Sequence, residues 1–230
     1  MISIGMAGPT ILAHGSDDGD PDYVCQPGAG SLAPVPWSKT PLGQCLISMY
    51  ERDGRPYFAD ARHVLAGVLA RFAELGLTPV VAVEYEFYLL EDISGEIPRP
   101  RTGRVPGSER RPVGPRAYSL EDLHDLDGFF AQVESVAAAQ HVPAGAIVSE
   151  YGAGQFEVNL HHEKDALAAC DHAILLRRLV RGIARQQGLA ATFMAKPFRD
   201  LDGSGMHVHF SLLDRDGRNV FGPAPPASMP

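Results

Sequence analysis

Three stretches of the chain carry hydrophobic residues at the three- and four-residue spacing of an amphipathic helix. The first begins after Asp60, a predicted N-cap, and stops before Gly76, a predicted helix end. Its apolar positions are Val64, Leu65, Val68, Leu69, Phe72 and Leu75. The pattern predicts a helix here that leads directly into the next apolar run.

The second and third stretches predict two further helices. Ser119, with Asp122 three residues on, resembles a capping box and opens a helix with the apolar positions Leu123, Leu126, Phe129, Phe130, Val133 and Val136. The third helix is expected from about Asp165 to Gln187, with Gly188 as its stop and Leu167, Cys170, Ile174, Leu179 and Ile183 on its apolar side. Its arginines most simply form a solvated face: Arg177, Arg178, Arg181 and Arg185.

Five β-prone runs lie between and after these helices, at residues 79–90, 146–148, 155–160, 191–194 and 206–212. Helices and strands are thus mixed without a strict βαβ repeat. This order favours an α+β fold with a largely antiparallel sheet.

The run at residues 79–90 places two carboxylates on one face. Glu84 and Glu86 are two residues apart, and the side chains of a strand alternate with a period of two. Two such carboxylates repel each other and lose solvation when the strand is buried. That cost is normally tolerated only when a cation, an arginine or a lysine neutralises them.

Two other runs repeat this alternation of polar and apolar positions. The polar sets are Gln155, Glu157 and Asn159, and His207, His209 and Ser211. If both sets line one pocket together with Glu150, the donors are mostly carboxylate oxygens supplemented by a single imidazole. Such a donor set suits Mg²⁺ or Mn²⁺ better than a thiolate zinc site.

Each motif has a plainer interpretation when taken alone. A Glu-x-Glu pair is more often an exposed strand face, strand histidines are often satisfied by hydrogen bonds, and a turn such as residues 203–205 is common in hairpins. Their occurrence together, each flanked by apolar strand residues, favours a functional site.

Composition and charge narrow the class of protein. Of the 230 residues 45% are hydrophobic and 21% charged, which is ordinary for a globular protein, and the net charge of -8 argues against non-specific nucleic-acid binding. Cys25, Cys45 and Cys170 form no CxxC pattern, so neither a disulfide framework nor a thiolate zinc site is indicated. With no basic leader and no apolar run of about 20 residues, we expect a cytoplasmic protein without a membrane partner.

The segment between Glu91 and Arg116 is rich in proline, glycine and arginine. Its arginines are Arg99, Arg101, Arg104, Arg110, Arg111 and Arg116. The segment is either a solvated, mobile loop or a contact for an anion such as phosphate. The composition favours the loop because it cannot pack a core.

Three blocks of sequence carry a family resemblance. They are VAVEYEFYL at residues 81–89, SEYGAGQFEVNL at 149–160, and TFMAKP at 192–197 leading into GSGMHVHFSL at 203–212. Through these blocks the chain resembles glutamine synthetases, and most closely the subgroup that joins glutamate to polyamines or other amines. Weaker matches at residues 19–22 and at Pro36 and Trp37 extend the likeness over most of the chain.

The resemblance implies an incomplete glutamine synthetase-type catalytic domain of the α+β class. Its curved, largely antiparallel sheet with flanking helices would follow a remnant of the family's N-terminal β-grasp domain. Residues 1–40 are expected to form the end of that domain and a linker, and residues 41–230 the N-terminal half of the catalytic domain. Because family members continue well beyond the region that corresponds to Pro230, we expect a partial copy of a longer protein.

The resemblance also implies two metal sites. Glu86, Glu150 and Glu157 match ligands of the ion that orients glutamate and the transferred phosphate. Glu84 and His207 match ligands of a second ion on the ATP phosphates.

The substrate contacts implied by the resemblance lie near the same blocks. His209 and Ser211 match ATP contacts. Gly203 and Asp202 match contacts of the substrate glutamate, and many family members carry asparagine where this chain has Asp202. No catalytic group is expected beyond these metal and substrate contacts.

The implied activity joins the γ-carboxylate of glutamate to ammonia or an amine at the expense of ATP, through γ-glutamyl phosphate and with Mg²⁺ or Mn²⁺. A complete protein of this family is expected to be a homo-oligomer. Two alternatives stay open. One is a non-catalytic metal-binding protein or fragment that associates with intact homologues, and the other is a cupin-like iron oxygenase with His207, His209 and Glu157 as a facial triad.

Overall fold

The computed structural model describes residues 23–91, 98–105, 108, 110, 111, 114 and 116–222. The helices in this part are α1 Ala61–Glu74, α2 Leu120–His124, α3 Asp127–Ala139 and α4 Ala166–Gln186. The strands are β1 Val24–Pro27, β2 Ala33–Pro34, β3 Gly43–Gln44, β4 Ile47–Tyr50, β5 Thr78–Glu91, β6 Arg99–Pro100, β7 Ala144–Ser149, β8 Gln155–Leu160, β9 Ala190–Thr192 and β10 Met206–Leu213.

The main sheet has the order β10-β5-β8-β7, and β6 and β9 pair with the far end of β5. Every one of these pairings is antiparallel, which confirms the predicted α+β class with a largely antiparallel sheet. The long strand β5 is central because it pairs with β10 on one side and with β8 on the other. The register places Glu86 opposite Glu157, and Glu84 opposite both Asn159 and His207.

The core lies between the apolar face of this sheet and the helices α3 and α4. Alternation sends Phe87, Phe156 and Val158 into the core, as predicted, and their polar neighbours to the opposite face. The helices contribute Phe129, Phe130, Val133, Leu176, Leu179 and Ile183. The strands that carry the predicted ligands therefore pack against the apolar core with their opposite face.

The predicted ends of α1 and α4 are confirmed by their caps. Asp60 accepts hydrogen bonds from the backbone N–H groups of Arg62 and His63, and Asp165 does the same for Leu167 and Ala168. Gly76 and Gly188 follow these helices with φ of +70° and +73°, a backbone conformation that favours glycine.

The helix predicted after Ser119 is wrong as a single helix, because the chain forms α2 and then α3. Ser119 does cap α2 by accepting from the Asp122 N–H. The Asp122 carboxylate, however, does not complete the capping box, since it is held by the guanidinium of Arg116. Leu126 then leaves the helical conformation, with φ of -122°, and enters the core ahead of α3.

The arginine-rich segment is partly packed against the chain's own carboxylates. Arg101 and Arg111 both lie against Glu91. Arg116 forms a two-pronged pair with Asp122, with N–O distances of 2.9 Å and 3.0 Å. These three guanidinium groups are therefore engaged within the fold.

Two small antiparallel sheets precede α1. β1 pairs with β4, and β2 pairs with β3, so both pairings cross the predicted boundary at residue 40. The predicted domain division stays a prediction, and its first 22 residues, including the weak match at residues 19–22, lie outside the described residues. In the described part, no helix is long and apolar enough to cross a membrane.

Candidate metal centre

The polar face of the main sheet brings together all five predicted metal ligands. Glu84 and Glu86 come from β5, Glu157 from β8 and His207 from β10, while Glu150 follows the last residue of β7. They meet because β5 lies between β8 and β10, and the antiparallel register sets their positions side by side.

Three of these residues form the tightest group. One ligand atom each from Glu84, Glu157 and His207 lies within 4.8 Å of the others. Two carboxylate oxygens and one imidazole nitrogen fit a hard divalent cation such as Mg²⁺ or Mn²⁺. The family resemblance groups Glu157 with Glu86 and Glu150, whereas the fold also sets it beside Glu84 and His207.

The electrostatics of the face favour a bound cation. Burial raises the pKa of Glu157, and the negative charges of Glu84 and Glu86 raise it further, against a hydrogen bond from Asn159 that lowers it. Burial also raises the pKa of Glu150, followed by repulsion from Glu157 and Glu86. A divalent cation among these carboxylates would relieve both the repulsion and the lost hydration.

His209 and Ser211, the predicted ATP contacts, follow His207 along β10. His209 Nε2 lies 3.0 Å from Glu84 Oε2, and His207 Nδ1 lies 3.3 Å from the same oxygen. Glu84 therefore stands between two imidazoles. Ser211 is two residues further along the strand, opposite Val80. Within the described residues the compact group contains Glu84 and not His209, which disfavours the facial triad of His207, His209 and Glu157.

The loop that carries Asp202 and Gly203, the predicted glutamate contacts, is held to the polar face by two side chains that sequence reasoning left without a role. Gln155 Nε2 donates to the Gly203 carbonyl at 2.9 Å and to the Glu86 carboxylate at 2.9 Å. The Tyr88 hydroxyl donates to the Asp202 carbonyl at 2.9 Å. Tyr88 falls on the alternation that begins with Glu84 and Glu86, and this signal in the sequence could have identified it.

Tyr88 is fully buried, and the fold keeps its hydroxyl protonated. Burial raises its pKa to about 12, and the charges of Asp202 and Glu86 act in the same direction. The hydroxyl can therefore serve as a permanent donor to the loop.

Gly205 lets the same loop approach the carboxylates closely. A Cβ at this position would lie 2.8 Å from Glu86 Oε1 and 3.1 Å from His207 Nε2. Any side chain at this position would press against two candidate ligands. The close approach of the loop therefore requires glycine here, independently of the turn conformation.

A model of the glutamine synthetase catalytic domain matches residues 58–226 of this chain. The chain belongs to the glutamine synthetase family. Gamma-glutamylputrescine synthetase PuuA of Escherichia coli (strain K12) is 39% identical over 91% of the chain and 44% of that protein. The glutamate–isopropylamine ligase of a Pseudomonas species is 32% identical over 90% of the chain and 44% of that protein.

Solved structures agree with this family assignment. A GmaS–ADP complex matches with a TM-score of 0.77 and 28% identity, over 91% of this chain and 46% of that chain. A novel glutamine synthase homolog matches with a TM-score of 0.73 and 27% identity, over 88% of this chain and 44% of that chain. The chain thus spans less than half the length of these glutamine synthetase relatives and forms a partial catalytic domain, as the resemblance implied.

Proposed function

We propose that this chain is part of an ATP-dependent ligase that joins the γ-carboxylate of glutamate to ammonia or an amine. The observation that carries the proposal is the meeting of Glu84, Glu157 and His207 within 4.8 Å on a face that also holds Glu86 and Glu150. Glutamine synthetase relatives whose names specify putrescine and isopropylamine as partners of glutamate support the amine as a substrate class.

In this proposal the five ligands are divided between two divalent ions. Glu86, Glu150 and Glu157 would hold the ion next to glutamate, and Glu84 and His207 would contribute to the ion next to the ATP phosphates. The ions would supply charge neutralisation between two anionic substrates, which otherwise repel each other. The remaining ligands of the two ions and further substrate-binding groups are assigned to other segments of a longer protein.

Four further residues would place the substrates. His209 and Ser211 contact ATP, while Gly203 and Asp202 contact glutamate. Gln155 and Tyr88 act indirectly, because their hydrogen bonds fix the loop at residues 202–205 beside Glu86. Positioning of this kind is the main contribution that a protein makes to phosphoryl transfer.

The proposed chemistry proceeds in two displacements. A γ-carboxylate oxygen of glutamate attacks the terminal phosphorus of ATP, and ADP leaves with the electrons of the broken P–O bond. The amine nitrogen then attacks the acyl carbon of γ-glutamyl phosphate, phosphate leaves, and the nitrogen loses one proton. Activation by ATP is needed because a free carboxylate is a poor electrophile.

Isothermal titration of Mn²⁺ tests the metal centre directly. We expect saturable binding by the purified chain in the presence of ATP, and loss of that binding in Glu157→Gln and in His207→Ala. Glu134→Gln is the matched control, since it removes one exposed carboxylate from α3, on the other side of the sheet. Binding that survives in both ligand variants would contradict the proposed site.

A second candidate function is a non-catalytic metal-binding protein that associates with intact homologues. It is favoured by the open polar face, where the side chains of His207 and His209 are 55% and 51% exposed. Phosphate release from ATP, measured with glutamate and a panel of amines, separates the two candidates. Metal binding together with glutamate-dependent phosphate release supports the ligase, whereas metal binding without phosphate release by the longer protein that contains this chain supports the second candidate.

A further inference from the structure

A cleft lined by arginine lies along one side of α4. Its volume is about 420 Å³, and its lining residues are Trp37, Ile174, Arg177, Arg178, Arg181, Gly182 and Arg185. Four guanidinium groups thus converge on one cavity of a chain whose net charge is -8. Such a concentration of positive charge is not explained by the metal centre.

The cleft is separate from the metal centre because it lies on the other face of the sheet. The Arg177 guanidinium stands 5.5 Å from the ring centroid of Tyr85, and Tyr85 belongs to the apolar core face, opposite Glu84 and Glu86. Arg177 and Arg181 also lie over Phe193, at 5.5 Å and 5.2 Å from its ring centroid. These aromatic contacts restrain two of the guanidinium groups and correct the expectation of a simply solvated arginine face.

The positive charge in the cleft is not neutralised by the described part of the chain. Arg177, Arg181 and Arg185 have no carboxylate partner among the described residues, and Arg178 donates instead to the amide oxygen of Gln44. The Nε of Arg177 is buried and lacks a hydrogen-bond acceptor there. Partial desolvation of the Arg181 guanidinium, together with the charge of Arg177, lowers the pKa of Arg181. An anion in the cleft would offset the repulsion between these guanidinium groups.

We propose that this cleft binds a phosphate chain, as found in inorganic polyphosphates and in nucleotides. Guanidinium groups donate pairs of parallel hydrogen bonds to phosphate oxygens, and several of them held in one cavity suit a ligand with several negative charges. The indole of Trp37 forms one wall of the cavity and packs against Gly182. This site is distinct from any nucleotide contact at His209 and Ser211.

Trp37 is the single tryptophan of the chain, so its fluorescence reports binding in the cleft. We expect tripolyphosphate, titrated into the full chain with EDTA present, to change the emission saturably and less strongly as salt is added. The double variant Arg181→Gln/Arg185→Gln should weaken binding by about tenfold or more, because each charge-assisted contact contributes more than a neutral hydrogen bond. Both arginines are exposed, so the variant is expected to fold.

Three controls identify the site. Arg71→Gln, an exposed charge change on α1, and Glu157→Gln, a change at the metal centre, should both leave tripolyphosphate affinity unaltered. Arg181→Lys/Arg185→Lys should bind with intermediate affinity, since lysine keeps the charge but lacks the planar fork.

Tighter binding of metal-free ATP than of tripolyphosphate would assign the site to nucleotides, and equal binding would assign it to the phosphate chain alone. No saturable emission change, or equal affinity of the glutamine double variant and the wild type, would overturn the proposal.

Discussion

At the scale of single residues, the buried amide of Gln155 links the candidate metal ligand Glu86 to the loop at residues 202–205. The side chain is only 1% exposed. Its amide nitrogen donates to Glu86 and to the Gly203 carbonyl, and its amide oxygen accepts from the Gly152 N–H at 3.0 Å. One side chain thus satisfies three groups from three separate segments.

Replacement of this amide by a hydrocarbon should therefore be costly. We predict that Gln155→Leu lowers the free energy of unfolding by about 2–4 kcal/mol, because it leaves buried polar groups without partners. Urea denaturation measures the loss. Gln132→Leu removes an amide that bonds only at the surface, and we expect a change within about 0.5 kcal/mol. Similar losses in the two variants would refute this role of Gln155.

The contribution of Asp60 to the free energy of unfolding should depend on pH. Burial alone raises its pKa, but backbone N–H groups of Met49, His63 and Arg62 donate to the carboxylate and bring the net pKa below the ordinary value of 3.8. A pKa lowered by folding gives stability that is fully present above that ordinary value and is lost as the pH falls through the folded-state pKa.

The Asp60→Ala variant should be about 1 kcal/mol less stable than the wild type at neutral pH, because α1 loses its N-cap. This difference should shrink in acid. Asp60→Asn is the control, since it keeps a capping oxygen without the titrating charge. Chemical denaturation at about pH 7 and about pH 3 checks both variants. A difference between Asp60→Ala and the wild type that stays constant over this range would contradict the assignment.

At the scale of elements, two helical glycines have opposite surroundings. A Cβ at Gly182 of α4 would collide with the indole ring of Trp37. A Cβ at Gly67 of α1 would meet nothing within 4 Å. Trp37 can therefore pack closely on α4 only because position 182 has no side chain.

These surroundings predict opposite effects of the same substitution. Gly67→Ala should stabilise the chain by about 0.5–1 kcal/mol, because alanine loses less backbone entropy in a helix. Gly182→Ala should destabilise it by about 1–3 kcal/mol through overpacking. Thermal unfolding gives the sign of each change, and a shifted Trp37 emission in Gly182→Ala alone would show displacement of the indole. Stabilisation by both alanines would disprove the close packing of α4 on Trp37.

At the scale of the whole molecule, a large apolar surface is left open. On β10, the side chains of Met206, Val208 and Phe210 are 56%, 53% and 61% exposed. Beside them lies an apolar cavity of about 570 Å³ between β10, α1 and α4. α1 has no buried residue among those described, although its apolar spacing was predicted correctly. Contiguous exposed apolar side chains of this kind favour association.

The exposed apolar surface should make the isolated chain self-associate. We predict that Val208→Thr/Phe210→Thr lowers the sedimentation coefficient at high protein concentration, because threonine keeps strand propensity and removes apolar area. Leu120→Thr changes a single exposed residue away from this surface and should have no such effect. A wild-type chain that sediments as a monomer at every concentration would contradict the prediction.

Features that depend on neighbours along the chain could be predicted from the amino-acid sequence alone. The N-cap at Asp60, the start of α4 near Asp165 and the period-two faces of β5, β8 and β10 follow from local geometry, and the structure agrees with each of them. The sequence motifs also indicated the family and all five candidate ligands.

The contacts between these elements could not be predicted in this way, because they form only in the folded chain. Strand pairing brought Glu84, Glu157 and His207 from three separate strands into one compact group, and an ion pair with Arg116 withdrew Asp122 from its predicted capping box. The burial of a helix could not be predicted from its apolar spacing either. Helices α1 and α4 have the same spacing, but the apolar side of α4 is buried and none of the described residues of α1 is buried. Strand register, ion pairing and burial depend on groups that are distant in the sequence. A local sequence pattern does not contain the positions of those groups in space.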